Sequence, residues 1–252
     1  MGRGLLLLML MAALAGAGPA CGQAPSGRFD GWAAAVIAAD WRDGRGQPIA
    51  AFDNARRDVT AALLAAGLPR ETTVDLTLNP ASPHAASTAE VLRTLGELTR
   101  RAPSGCLLYF TSHGSPEGLV FGDDGMVTPA SMARAVNQWC GARPTVVIVS
   151  ACFSGVFVDA LAAPNRMVLT AASRERTSFG CGAGETWPWF DGCVIEALPR
   201  SADFLALAAD ARACVTRREQ EAGIDLPSEP QLFVGAEMQL RLPTLRFDRP
   251  SS

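Results

Sequence analysis

Residues 146–155 read Val146-Val147-Ile148-Val149-Ser150-Ala151-Cys152-Phe153-Ser154-Gly155. Four β-branched residues in succession stop at small residues and a cysteine. A continuous apolar run of this length describes a strand buried on both faces, because it has no solvent side on which to alternate. Such strands belong to mostly parallel sheets covered by helices, in which ligands bind beyond the carboxyl ends of the strands. The thiol of Cys152 therefore falls where an α/β protein places its chemistry.

The chain on either side keeps the same alternation of strand and helix. Residues 32–39 read as a first strand despite their alanines, because residues 50–67 follow as an amphipathic helix closed by Gly67-Leu68-Pro69. Residues 72–78 alternate like a strand. Ser87 stands three residues before Glu90, the signature of a capping box, and opens a helix to Arg101. Residues 106–112, CLLYFTS, form a continuous apolar strand. Residues 119–128 read as a small hairpin about Gly122-Asp123-Asp124-Gly125. Thr128-Pro129 then starts a helix to about Gln138, with Thr128 as N-cap and Pro129 in the first helical position. After the strand at 145–149 come a short helix (154–161), a strand (167–170) and a Gly- and Trp-rich loop (180–192). A long helix capped by Ser201-Ala202-Asp203 runs to about Ala222, and residues 231–234 make the last strand. The expectation is an α/β fold in three layers, a mostly parallel sheet of about six strands with helices on both faces.

A second strand also delivers a reactive side chain. The stretch Tyr109-Phe110-Thr111-Ser112-His113-Gly114 ends in a histidine followed at once by glycine. Parallel neighbours joined by a right-handed crossover bring their C-terminal ends to the same rim. His113 is thereby placed to act as base or proton shuttle for the Cys152 thiol, the arrangement of nucleophilic catalysis. Gly114 can bring a backbone N–H to a substrate carbonyl without a side chain in the way. The Cys152 N–H supplies a second donor to an oxyanion. Alone, a strand-end cysteine is usually a small buried hydrophobe and a histidine before glycine a turn residue; it is the pair at matching strand ends that carries chemistry. The other histidine, His84, lies in a Pro- and Ser-rich loop and reads as exposed.

Composition is that of a globular domain: 252 residues, 48% hydrophobic, 19% charged and a net charge of -3. That balance offers no footprint for nucleic acid. Arg3, the apolar run 5–14 and the small residues 15–20 describe a secretory leader, too short for a membrane span of ~20 apolar residues. Cys21 directly after Ala20 resembles the bacterial lipoprotein cleavage box, although Gly18-Pro19 departs from it, so lipidation of Cys21 and membrane attachment through it are expected. Export permits disulfides. Among the seven cysteines, Cys106 with Cys140 and Cys181 with Cys193 are reasonable pairs that spacing alone does not assign. With no C-x-x-C and two histidines, a structural zinc site is not expected, and neither metal nor cofactor is called for.

The strands ending in S-H-G and in S-A-C-x-S-G resemble the legumain (asparaginyl endopeptidase) family of the caspase-like cysteine peptidases. The resemblance continues through Leu169-Thr170-Ala171-Ala172-Ser173-Arg174-Glu175-Arg176-Thr177-Ser178-Phe179-Gly180-Cys181 and through Ser228-Glu229-Pro230-Gln231 before the last strand. It covers roughly residues 30–236 and implies a caspase-like fold. It also implies a catalytic dyad of His113 and Cys152, an oxyanion hole of the Gly114 and Cys152 amides, and a specificity pocket holding Glu175 and Ser173. A pocket arginine after the first strand would be Arg42 or Arg45. Metacaspases are less similar, because their acidic residue before the nucleophile is Ser150 or Ala151 here.

The chain is thus expected to comprise a leader (1–20), a connector (21–29), a peptidase domain (30–236) and a C-terminal tail (237–252). Its expected activity is hydrolysis of peptide or protein substrates through a thioester, in the periplasm or envelope. The alternatives are a transamidase using the same dyad and a non-catalytic caspase-fold binding module.

Overall fold

The computed structural model describes residues 28–248; the leader and Cys21 lie outside the described residues. The chain runs β1 (Trp32–Ala38), α1 (Ala51–Ala65), β2 (Thr73–Thr77), α2 (Thr88–Arg101) and β3 (Gly105–Thr111). Three short strands follow, β4 (Gly114–Ser115), β5 (Gly118–Val120) and β6 (Met126–Val127), then α3 (Pro129–Cys140), β7 (Thr145–Ser150), α4 (Val156–Leu161) and β8 (Arg166–Thr170). The last elements are α5 (Trp189–Ala197), α6 (Phe204–Glu221), β9 (Gln231–Val234) and α7 (Ala236–Arg241).

The main sheet has six strands in the order β2-β1-β3-β7-β8-β9. All neighbours are parallel except β8 with β9. Four of the seven residues of β1 are alanine, and every one of the seven is buried. Alanine has little strand preference of its own, so burial between β2 and β3 and beneath helices on both faces decides the conformation here.

Strand periodicity sorts side chains to two cores. Val36, Leu107, Tyr109, Ile148 and Leu169 pack with α1, α5, α6 and α7 on one face. Ile37, Leu108, Phe110, Val149 and Val168 pack with α2, α3 and α4 on the other. The three-layer α/β fold is as expected. Ser87 forms its capping box with Glu90, Thr128 accepts from the Ser131 amide, and Asp203 accepts from the Ala206 amide.

Two readings are corrected. The loop expected over 180–192 ends early, because α5 starts at Trp189 behind Pro188; glycine and tryptophan in its first turns hide a helix that tertiary burial stabilises. Cys193 pairs with Cys214, across α5 and α6, and not with Cys181. Cys106–Cys140 is formed, whereas Cys152 and Cys181 are free. Beyond β9, Met238, Leu242, Leu245 and Phe247 are buried against α6 and the face that carries it, so residues 237–247 contribute to the core.

Candidate active site

β3 and β7 are adjacent and parallel, and their final register pair is Thr111 with Ser150. The Ser112 amide still donates to the Ser150 carbonyl, at 3.1 Å. Beyond this rung one chain leaves as His113-Gly114 into the β4–β5–β6 hairpin sheet, and the other turns through Ala151-Cys152 into α4. The structure therefore brings His113 and Cys152 to neighbouring strand ends, as expected.

Close packing joins the two departures. A Cβ on Gly114 would lie 2.2 Å from the Cys152 carbonyl oxygen, so only glycine fits. A Cβ on Gly155 would lie 2.4 Å from the Arg174 amide nitrogen, which brings residues 173–178 over the cysteine turn. Phe153 sits at φ +57°, a conformation costing a bulky residue about 1–3 kcal/mol, and donates its N–H to the Arg176 carbonyl at 2.8 Å. The turn is held from beneath as well: Ser154 is buried, and its hydroxyl accepts from the Ala172 amide at 3.1 Å. The Cys152 N–H donates to no partner among the described residues and is free to meet an oxyanion.

The histidine has a defined proton. Its Nε2 lies 2.7 Å from the Arg42 carbonyl oxygen. A carbonyl only accepts, so Nε2 carries hydrogen, and Nδ1 is the nitrogen not tied to the backbone. Phe52 packs edge-on against the ring, with centroids 5.1 Å apart. The imidazole is thereby held by one polar and one apolar contact, leaving Nδ1 as the group able to exchange a proton.

The thiol is tuned by the loop that follows β8. The Ser178 amide donates to Cys152 Sγ at 3.3 Å, and the Ser178 hydroxyl is 3.6 Å from it. A hydrogen bond from the Cys181 thiol, reinforced by Ser178 and the charge of His113, holds Cys152 below the ordinary thiol range against the opposing effect of burial. Cys181 shifts the other way, raised by that same bond and by burial. Of the two free sulfurs, Cys152 is thus the one held toward the thiolate, the reactive form of a cysteine.

The expected pocket residues fare differently. The Arg42 guanidinium is occupied: Nε bonds Asp40 at 2.9 Å, Nη1 bonds Asp123 at 2.8 Å, and Nη2 bonds the Gly122 carbonyl at 2.9 Å. It also stacks over the Trp41 ring. Its side chain anchors the hairpin, and its backbone touches His113. Arg45 is exposed on the adjoining turn. Ser173 is half-buried, with its amide on the Ser228 carbonyl at 2.8 Å. Glu175 is exposed on the loop over the cysteine turn and makes no ion pair among the described residues. Three contributors were not singled out for these roles by sequence reasoning. Ser178 and Cys181 lie in the stretch that carries the resemblance. Asp191, described below, left no local signal.

The chain matches the profile of the Peptidase C13 family over residues 98–210. That span contains both strand ends and the loop through Cys181. Among solved structures, caspase-1 from Spodoptera frugiperda superposes with a TM-score of 0.60 at 12% identity, covering 86% of this chain and 93% of that one; at such identity the likeness shows a caspase-like fold. No curated protein matches the sequence. Family match and fold together bear out the legumain-like resemblance and support a cysteine peptidase acting on peptide or protein substrates.

Proposed function

We propose that the chain is an exported cysteine endopeptidase in which Cys152 and His113 form the catalytic dyad. The observation that carries this reading is the tautomer of His113. With Nε2–H engaged by the Arg42 carbonyl, Nδ1 is the nitrogen left to serve a thiol whose own pKa is lowered. His113 Nδ1 takes the Cys152 thiol proton, the resulting thiolate attacks the scissile carbonyl carbon, and the developing oxyanion is met by the Gly114 and Cys152 N–H groups. The tetrahedral intermediate collapses with cleavage of the C–N bond. Protonated Nδ1 gives its proton to the leaving amine, and a thioester remains on Cys152. Water, losing a proton to Nδ1, attacks the thioester; a carboxylic acid leaves and the thiol is restored.

Glu175, exposed and free of ion pairs among the described residues, is available to donors of the substrate residue before the cut, which favours asparagine or arginine there and disfavours glutamate. Export is supported by the two disulfides, Cys106–Cys140 and Cys193–Cys214, which suit an oxidising compartment. We further propose that Cys21 becomes the lipidated N-terminus, anchoring the domain in the envelope.

A peptide-library cleavage assay on wild type, Cys152→Ala and His113→Ala tests the mechanism. Both variants should fold and lose turnover; undiminished cleavage by either would overturn the dyad. Mass spectrometry of the mature N-terminus tests the anchor, with acylated Cys21 expected and an unmodified N-terminus refuting it.

A further inference from the structure

The carboxylate of Asp191, in the first turn of α5, is fully buried directly beneath the two strand ends. Its Oδ2 accepts from the Ser150 hydroxyl at 2.7 Å and from the Thr111 hydroxyl at 3.0 Å, and its Oδ1 accepts from the Tyr109 hydroxyl at 2.5 Å. Thr111 and Ser150 are partners in the last register pair of β3 and β7, so one oxygen spans both strands at their final rung. His113 lies two residues beyond Thr111, and Cys152 lies two beyond Ser150.

Past that rung the backbone gives one more interstrand bond, from the Ser112 amide, before the chains diverge. The helix that presents Asp191 is itself immobilised. Phe190, Val194 and Ala197 sit in the core, and Cys193 bridges α5 to α6. A buried carboxylate is costly to desolvate, and an apolar side chain of similar volume is usually at least as stabilising. Stability alone therefore gives no reason for an ion here, whereas fixing the separation of two strand ends does.

We propose that Asp191 is a positioning residue for the His113–Cys152 pair, clamping β3 and β7 at the rung from which both side chains depart. The inference rests on the dyad reading above. Asp191 touches neither substrate nor reacting atoms; it acts through Thr111 and Ser150.

The test measures how strongly His113 influences Cys152. The rate of Cys152 alkylation by iodoacetamide is followed by mass spectrometry at pH 6.5, with and without His113→Ala, in the wild-type and Asp191→Asn backgrounds. In wild type, His113→Ala should slow labelling about tenfold; in Asp191→Asn the same change should alter it less than about threefold, because the pair is no longer held in register. Ser150→Ala removes one arm of the clamp and leaves two donors on Asp191, so it serves if Asp191→Asn does not fold, and it should weaken the coupling likewise. Tyr109→Phe removes the donor on the other oxygen, four residues before His113, and should preserve the coupling. A His113 effect of full size in Asp191→Asn, or in Ser150→Ala where only that variant folds, overturns the positioning role. Labelling that ignores His113 in wild type overturns the dyad reading itself, and the inference with it. Since alkylation needs no turnover, the two failures are distinguishable.

Discussion

The Ser178 amide donates to Cys152 Sγ at 3.3 Å, while the neighbouring Cys181 thiol is the largest influence holding Cys152 below the ordinary thiol range. Two free sulfurs thus share one site with opposite tendencies, Cys152 toward thiolate and Cys181 toward thiol. Because the lowered pKa favours the charged form, thiolate accumulates on Cys152 at lower pH than on an ordinary cysteine.

Removing the Cys181 thiol should reverse this. In Cys181→Ala the midpoint of the Cys152 alkylation profile should move up by about 1–2 pH units, since a hydrogen bond to a charged group contributes about 1.5–3 kcal/mol. At pH 6.5 labelling should slow about threefold to twenty-five-fold, and above pH 9 it should approach wild type. A superimposable profile would mean that Cys181 does not stabilise the thiolate.

Gly114 is predicted to be irreplaceable for steric reasons. Gly114→Ala places a Cβ 2.2 Å from the Cys152 carbonyl oxygen, so either the histidine loop or the cysteine turn must move. Peptide turnover should fall by at least about a hundredfold, in line with loss of one oxyanion donor. Gly182→Ala, where a Cβ meets nothing within 4 Å, is the control and should leave turnover unchanged. Wild-type activity in Gly114→Ala would show that the contact relaxes without disturbing the site.

Asp191 should leave a signature in stability against pH. Burial pushes its carboxyl up to about 6, against the lowering effect of the Tyr109, Ser150 and Thr111 hydroxyls. The other titratable groups facing it are Tyr109 on β3 and Cys181 in the loop before α5. A carboxyl whose folded pKa is raised favours folding in its protonated form. Its contribution is complete below the unfolded value near 4 and is lost as pH rises through 6. The wild type should therefore gain roughly 2.4 kcal/mol from this group between pH 7 and pH 4. Denaturant unfolding of wild type and Asp191→Asn across that range isolates the effect as a stability difference that shifts in favour of wild type as pH falls from 7 to 4. Parallel curves would show that Asp191 does not titrate there.

Glu175 is predicted to act on selectivity alone. If a bound substrate covers it, Glu175→Gln should lower kcat/KM for the preferred residue about tenfold, the cost of weakening a charged hydrogen bond. Iodoacetamide labelling of Cys152 should stay unchanged. Because Glu175 is exposed in the free protein, an uncovered charge would contribute little, and an unaltered cleavage profile would remove it from the pocket.

Much of this protein was determined by local sequence. The runs at 106–112 and 145–149 could only be buried strands, because nothing in them alternates. Ser87 with Glu90, Thr128 with Pro129, and Asp203 marked helix starts, because a cap is settled by residues within one turn. His113 and Cys152 were legible as a pair because a parallel crossover sends both strand ends to one rim. The tertiary structure decided what depends on residues distant in the chain. Cys193 chose Cys214 over Cys181 because α5 packs along α6, and that choice left Cys181 free to face Cys152. Arg42 was spent on Asp40 and Asp123 because the hairpin folds back over the end of β1. Asp191 came to lie under Thr111 and Ser150, 80 and 41 residues earlier, through the docking of α5 against the sheet. No local pattern encodes such a contact, since the energy that selects it is the burial of a whole helix face.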